Sequence, residues 1–271
     1  MASDKNSYYI IFKALIKFIW HINMAINVGI YPNYGDISYS NESEKELVDC
    51  INFNFKKIIR VNSEEIEKVD LMFEEITSEI NGKELGSACI CLDEYYYNEI
   101  RQKFIESGLK HGFKHVEIIN YETAFYLNAM CQINHKPKNG DIIWIKDGYK
   151  YNVWTIKNQK ALFIGYWESG TFYLNDFQKI VEKSQLNKGP NVLLYNSKIN
   201  EATCKKFGCQ LFCYENDKFC FSKASLVKIA KKVTDYEFAY LETESFLSHT
   251  VILKIGEKEI KTFQVVALVK N

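Results

Sequence analysis

The chain has little proline and no net charge. It contains 3 Pro among 271 residues, and its 34 Lys and Arg are matched by 34 Asp and Glu. So few prolines, with 47% hydrophobic residues, argue against long disordered segments. Balanced charge provides no field that would recruit nucleic acid or an acidic membrane surface. We therefore predict a packed protein that binds no nucleic acid directly.

The sequence also lacks an apolar run that could cross a bilayer. The N-terminal stretch of residues 8–20 is interrupted by Lys13 and Lys17, whereas a spanning helix needs about 20 mainly apolar residues. It has no clear small-residue cleavage site before Met24, as a signal peptide would. We predict no membrane span and an N-terminal extension or helix over residues 1–23, with an interfacial amphipathic helix as the alternative.

Paired cysteine motifs are absent as well. The eight cysteines lie in a chain large enough to fold without crosslinks, so a reducing, cytoplasmic compartment is the simpler interpretation. The nearest approach to a zinc pattern lacks C-x-x-C pairs, and buried thiols are the favoured alternative. The cysteines of that pattern are Cys204, Cys209, Cys213 and Cys220.

From residue 25 onward, short apolar runs alternate with longer helix-like segments. This alternation predicts an α/β fold organised around a sheet. The predicted strands cover residues 25–31, 56–61, 88–92, 116–119, 141–145, 151–156, 161–166, 191–195 and 210–214. The predicted helices cover residues 63–80, 97–109, 122–131, 175–183, 201–207 and 222–233, and a hairpin is predicted over 248–254 and 259–269.

Residues 88–130 carry the most specific motif, ACICLDEYYYNEIRQKFIESGLKHGFKHVEIINYETAFYLNAM. A strand, the aromatics Tyr95–Tyr97, the pair Arg101–Gln102, Gly112 and the run 118–124 follow one another without gaps. In this order the segment resembles the seventy-kilodalton heat-shock chaperones, the heat shock protein 70 family of the actin-like ATPase superfamily. Residues 28–40 and 141–156 are similar to the two phosphate loops of that family, and residues 191–200 more faintly to its adenosine-side loop.

The resemblance implies a bilobed actin-like (ribonuclease-H-like) ATPase fold. It implies an inner lobe over residues 24–150, a reduced second lobe over 151–240, and a C-terminal hairpin over 241–271 that is a possible vestige of the substrate-binding domain. The family carries an outer subdomain in each of two intervals that are short in this chain. We therefore predict a reduced fold that lacks the outer subdomains.

In the first loop, the resemblance places Tyr31 at the family's aspartate and Asn33 at its glycine. Pro32 between them removes an amide donor, and Tyr34 and Gly35 complete the loop. Glycine amides approach phosphates closely because they carry no Cβ. A loop with these substitutions is predicted to have lost that geometry.

The other positions depart from the family in the same direction. Ile145 takes the place of an aspartate in the second loop, Asp147 would oppose the phosphates, and Gly148 is the one surviving glycine of three, ahead of Lys150. The helix-starting glutamate becomes Tyr121, and the adenosine-side pair becomes Tyr195 and Asn196. As an alternative to solvated turn residues, Lys146 and Lys150 could bind an anion.

These losses together predict a chain that does not hydrolyse ATP, since phosphoryl transfer depends on positioning and charge neutralisation. The resemblance then implies a non-catalytic scaffold or co-chaperone subunit, with a J-domain protein or the ribosome as partner and without a cofactor. The alternatives are residual nucleotide binding with weak ATPase activity, and an actin-like interaction protein unrelated to folding.

Overall fold

The computed structural model describes residues 25–40, 54–169, 174–196, 202, 205, 208–230, 240–243, 251–255 and 258–263. They form two five-stranded mixed sheets with packed helices, and a two-stranded hairpin. The predicted α/β class is confirmed. The chain divides into two compact units, residues 1–121 with 219–233 and residues 122–218 with 234–271. The extension predicted over residues 1–23 lies outside the described residues.

The sheet of the first unit has the strand order β3-β2-β1-β4-β5. β1 and β3 pair antiparallel with β2, whereas β1, β4 and β5 are parallel. The carboxyl ends of the parallel strands therefore meet at one edge, where open α/β sheets bind ligands. The elements are β1 (Ile26–Tyr31), β2 (Asp36–Ser40), β3 (Asn54–Lys57), α1 (Lys68–Ile80), β4 (Leu85–Leu92), α2 (Asn98–Lys110) and β5 (His115–Asn120).

The sheet of the second unit repeats this arrangement with the order β10-β9-β6-β7-β8. β6, β7 and β8 form an antiparallel meander, and β6, β9 and β10 are parallel. Its elements are α3 (Tyr121–Met130), β6 (Ile142–Asp147), β7 (Lys150–Lys157), β8 (Lys160–Glu168), α4 (Leu174–Ser184), β9 (Val192–Tyr195) and β10 (Gln210–Cys213). The predicted C-terminal hairpin is present as β11 (Val251–Ile255) and β12 (Lys258–Phe263).

Two helices do not belong to the unit whose strands precede them in the chain. Helix α5 (Cys220–Ala230) follows the second sheet but contacts β1, β2 and β4 of the first unit. Helix α3 follows the first sheet, and from Glu122 onward it belongs to the second unit. β6 also lies in the second unit, because a two-residue turn joins it to β7. The observed division thus differs from a boundary at residue 150.

The first unit has its main core on one face of its sheet. Helix α1 buries Val69, Met72, Phe73, Ile76 and Ile80, the three- and four-residue spacing of a single helix face. In β4 the last five residues are all buried, as expected for a strand covered on both faces. The second unit has a separate core that includes Trp144, Tyr151, Val153, Phe177 and Leu193.

Two local predictions in the first unit were displaced. The strand predicted over residues 56–61 lies at 54–57, because the amides of Ile58 and Val61 bond to the carbonyls of Gly35 and Pro32. The helix predicted from Ser63 begins at Lys68. None of the helices within the described ranges is long and apolar enough to cross a membrane.

Helices α1 and α2 are joined by the carboxylate of Asp70. It accepts hydrogen bonds from Lys103 Nζ at 2.6 Å and Ser107 Oγ at 2.5 Å, and Lys110 Nζ lies 3.8 Å away. The hydrogen bond from Lys103, followed by that from Ser107, lowers the pKa of Asp70 from 3.8 to about 2. The ionised carboxylate therefore stabilises the contact between these helices.

We expect Asp70→Asn to lower the free energy of unfolding by about 1 kcal/mol at pH 7, the scale of a partly exposed ion pair. Since the unfolded chain takes up this proton more readily than the folded one, the contribution is complete above about pH 4 and is lost as the pH falls towards 2. Urea unfolding at pH 7 and pH 2.5 measures it. A difference between wild type and variant that is equal at both pH values would contradict this assignment.

Candidate functional site

The first loop of the predicted site is a hairpin between β1 and β2, and the amide of its glycine is already hydrogen-bonded. Residues 32–34 form a 3₁₀ turn between β1 and β2, opened by Pro32, which has no N–H. The carbonyl of Pro32 accepts the amide of Gly35 at 3.0 Å and that of Val61 at 3.1 Å. The N–H of Gly35 is therefore bonded within the turn and does not face a ligand.

Close packing against the backbone of residue 58 explains why position 35 is a glycine. Its φ is +63°, and a Cβ placed there would lie 2.3 Å from the carbonyl oxygen of Ile58. The carbonyl of Gly35 also accepts the amide of Ile58 at 2.8 Å. A side chain would separate the hairpin from residues 58–60, so Gly35 serves this close backbone contact.

Aromatic rings occupy the two positions of the first unit where the resemblance expects carboxylates. Tyr31, only 6% exposed, stacks on Tyr34 at a centroid distance of 5.5 Å and contacts Phe221 of α5 at 4.8 Å. Tyr121 meets the same Phe221 at 4.5 Å. Tyr31, Tyr34, Tyr121 and Phe221 thus form one cluster, which we call the aromatic cluster, at the carboxyl edge of the first sheet.

This cluster carries no negative charge at neutral pH. Burial, with an added contribution from Cys91, raises the pKa of Tyr31 well above its usual range, and a hydrogen bond with the Asn33 side chain offsets part of the rise. A neutral phenol cannot balance a magnesium ion as a carboxylate does. The sequence could not reveal Phe221, which lies 190 positions beyond Tyr31 in the chain.

A charged residue of the first hairpin escaped prediction. Asp36 is buried, and its Oδ1 lies 2.5 Å from the ammonium of Lys57. Lys57 also donates to the carbonyl of Tyr34 at 3.1 Å. The sequence could have indicated Asp36 through its position directly after Gly35 in the loop. The ion pair joins β2 to β3 beside the turn.

In the second unit, the structure brings together three of the predicted residues. Asp147 ends β6 and Gly148 follows it in the turn, and Asn196 follows β9 at the same edge of the sheet. Asp147 Oδ1 accepts the side-chain amide of Asn196 at 2.9 Å and that of Asn216 at 3.5 Å. Asn216 was not predicted, although it follows β10 at the carboxyl edge where such residues collect.

Side-chain amides hold Asn216 in place. Asn128 of α3, which is buried, donates to Asn216 Oδ1 at 2.9 Å. Gln132, one turn later, donates to the carbonyl of Glu215 and accepts its amide, both at 2.9 Å. The loop after β10 is therefore fastened to α3.

The two lysines of the second hairpin are placed differently from each other. Lys146 is 2% exposed, its carbonyl accepts the Tyr214 hydroxyl at 3.0 Å, and burial lowers its pKa, with Asp147 opposing the change. Tyr195 is its register neighbour on β9. The ammonium of Lys150 lies 3.7 Å from the ring centroid of Tyr166, a cation–π contact. Both lysines are thus held by contacts within the second unit.

Gly148 retains the open geometry of a ligand-binding glycine. Its φ is +56°, and nothing lies within 4 Å of where its Cβ would be. This is the one feature of the second hairpin that matches the phosphate loop of the resemblance. Gly35, in contrast, is filled by protein backbone.

The possible zinc pattern gains no support. Cys209 and Cys213 belong to the second unit and Cys220 to the first. Burial raises the pKa of Cys209, which opposes the thiolate form that metals require. Among the described residues, which do not include Cys204, no group of three or more His, Cys, Asp or Glu side chains could hold a metal ion.

The chain matches no family model and no curated protein. Its fold is similar to solved structures, including a ROK family transcriptional regulator homologous to the MLC protein of E. coli (10% identity, 77% of this chain and 79% of that chain, TM-score 0.48). Another is the ethanolamine utilization protein EutJ from Carboxydothermus hydrogenoformans (10%, 75% and 90%, 0.40). A third, from Bacteroides thetaiotaomicron, has an actin-like ATPase fold and unknown function (9%, 77% and 97%, 0.37).

The fold itself follows from strand order, since both units build the same mixed sheet with three antiparallel and two additional parallel strands. Residues 58–67 connect β3 to α1 and residues 185–191 connect α4 to β9, and neither of these described segments contains a helix or strand. The protein therefore has an α/β fold built on two mixed five-stranded sheets.

Proposed function

We propose that this protein is a pseudo-ATPase of actin-like fold that serves as a non-catalytic scaffold or co-chaperone subunit in the cytoplasm. The observation that carries the proposal is the aromatic cluster. Tyr31 and Tyr121 pack around Phe221 at the positions where the resemblance expects groups that order magnesium and water. Phosphoryl transfer needs those charges, and neutral aromatic side chains do not provide them.

The closed first hairpin supports the same conclusion. Pro32 has no amide, and Gly35 donates its amide to Pro32. A triphosphate is gripped by several amides that converge on it. Neither Pro32 nor Gly35 of the first hairpin therefore has an amide available to a phosphate.

We expect millimolar Mg-ATP or Mg-ADP to change the melting temperature of the full chain by less than about 1 °C, since ligand stabilisation follows the ratio of ligand concentration to Kd. Isothermal titration calorimetry should show no magnesium-dependent heat of binding. An active actin-like ATPase treated in parallel is the positive control. Saturable, magnesium-dependent binding of ATP to this chain would overturn the proposal.

Residual nucleotide binding is the second candidate, and the open space around Gly148 favours it. It requires that ATP stabilise the wild type and that Gly148→Ala abolish the effect. For the scaffold role, the partner classes suggested by the resemblance are a J-domain protein and the ribosome. Recovery of a stable complex with chaperone or ribosomal components would separate this role from that of an actin-like interaction protein unrelated to folding.

A further inference from the structure

The loop between β4 and α2 displays two tyrosines outward from a rigid base. We call residues 93–99, with the sequence DEYYYNE, the tyrosine loop. Tyr95 is 68% exposed and Tyr97 70% exposed, whereas Tyr96 between them is buried. Tyrosine is enriched where proteins bind one another, and here two exposed rings lie only two residues apart.

Four contacts hold the base of the loop. Arg101 of α2 donates from Nε to the carbonyl of Tyr96 at 2.7 Å and from Nη2 to the carbonyl of Asp93 at 2.5 Å. The hydroxyl of Tyr96 donates to the carbonyl of Val61 at 2.6 Å, and Asp93 Oδ1 accepts the amide of Tyr95 at 2.9 Å. A loop fixed in this way loses little conformational entropy when a partner binds it.

The charge of the loop has one sign. Asp93, Glu94 and Glu99 are acidic, and the segment contains no Lys or Arg. Glu94 and Glu99 are exposed, and neither forms an ion pair with another described residue. The guanidinium of Arg101 donates to the carbonyls of Tyr96 and Asp93 and forms no ion pair with Glu94 or Glu99 among the described residues.

We propose that the tyrosine loop is the surface of the first unit that binds a basic segment of a partner protein, and this inference rests on the proposed scaffold function. A guanidinium or ammonium group of the partner contacts the exposed rings of Tyr95 and Tyr97 and pairs with the exposed carboxylates of Glu94 and Glu99. Cation–π contact and ion pairing act together on such a group. Arginine is the better match, because its planar guanidinium stacks on rings and pairs with carboxylates in two-point geometry.

The experiment uses a fluorescein-labelled peptide of alternating glycine and arginine and measures fluorescence anisotropy with the full chain. Matched glycine–lysine and glycine–glutamate peptides are the ligand controls. We expect the arginine peptide to bind more tightly than the lysine peptide, and the glutamate peptide not to bind. Tyr95→Ser and Tyr97→Ser should each raise Kd about tenfold, and the Glu94→Gln/Glu99→Gln double variant should reduce the salt dependence of binding.

Tyr149→Ser provides the matched control, since Tyr149 is 68% exposed but lies in the second unit. It should leave the peptide affinity unchanged, and the loop variants should keep the wild-type melting temperature because the removed rings are exposed. Equal loss of binding in Tyr149→Ser and Tyr95→Ser, or wild-type affinity in both loop variants, would overturn the inference. Nucleotide titration is independent of this test, so the pseudo-ATPase proposal can fail while the peptide result stands, and the reverse also holds.

Discussion

Gly29→Ala is expected to destabilise the first unit by about 3 kcal/mol or more. A Cβ at position 29 would lie 1.9 Å from the carbonyl oxygen of Ser222 and 2.4 Å from the amide nitrogen of Leu226, both backbone atoms of α5. The helix cannot accommodate this methyl by a side-chain rotation, so it must move away from β1. Urea unfolding of the full chain, followed by circular dichroism, measures the loss.

Gly140→Ala is the control for this prediction. Gly140 has a φ of +84°, and nothing lies within 4 Å of where its Cβ would be. Alanine at this position should lower the free energy of unfolding by only about 1 kcal/mol, the cost of the left-handed backbone conformation. Limited proteolysis adds a structural readout, since Gly29→Ala should expose α5 to cleavage whereas Gly140→Ala should not. Equal destabilisation by both variants would show that α5 does not pack tightly on β1.

Trp154→Ala is expected to have a similarly large effect on the second unit, about 3–5 kcal/mol. Trp154 is fully buried, and its ring lies 4.6 Å from that of Tyr126 in α3 and 4.9 Å from that of Phe163 in β8. Tyr126 in turn donates its hydroxyl to the carbonyl of Tyr240 at 2.8 Å. Removing the indole leaves a cavity where α3 packs on the sheet.

Trp154→Phe separates packing from hydrogen bonding. Within the described part of the chain, the indole Nε1–H is buried and has no hydrogen-bond partner, so its removal breaks no hydrogen bond. We expect the phenylalanine variant to lose only about 1–2 kcal/mol. Urea titration of both variants tests the comparison. If phenylalanine cost as much as alanine, ring packing would not be the source of the stability.

Local pattern predicted much of the fold. Alternating apolar runs identified most strands within a few residues, and Gly148 lies in the turn between two of the predicted strands. Strand β2, which follows the turn at Gly35, was not predicted. Where a local sequence pattern and a contact in the folded chain favoured different element boundaries, the observed boundary follows the contact. Ser63 resembled a helix cap, but Asn62 accepts the amide of Glu65 through its carbonyl, and the helix begins five residues later.

The candidate site shows the same limit. Sequence comparison named Tyr31 and Tyr121 as replacements for carboxylates, but it could not show that both pack on Phe221. Gly35 and Gly148 were grouped as remnants of phosphate loops, whereas one is filled by the backbone of Ile58 and the other is open. Close approach between distant segments leaves no periodic signal in the sequence, so only coordinates distinguish these two glycines.

The sequence by itself determined the α/β class and the balanced charge, and it predicted which residues stand at the phosphate-loop positions of the resemblance, because these depend on residue type and short-range spacing. Only the tertiary structure decided that α5 returns to the first sheet at Gly29, that Asn216 reaches Asp147, and that Tyr95 and Tyr97 are held outward by Arg101. These features arise from contacts between segments that folding brings together, and their free energy depends on shape and burial in three dimensions.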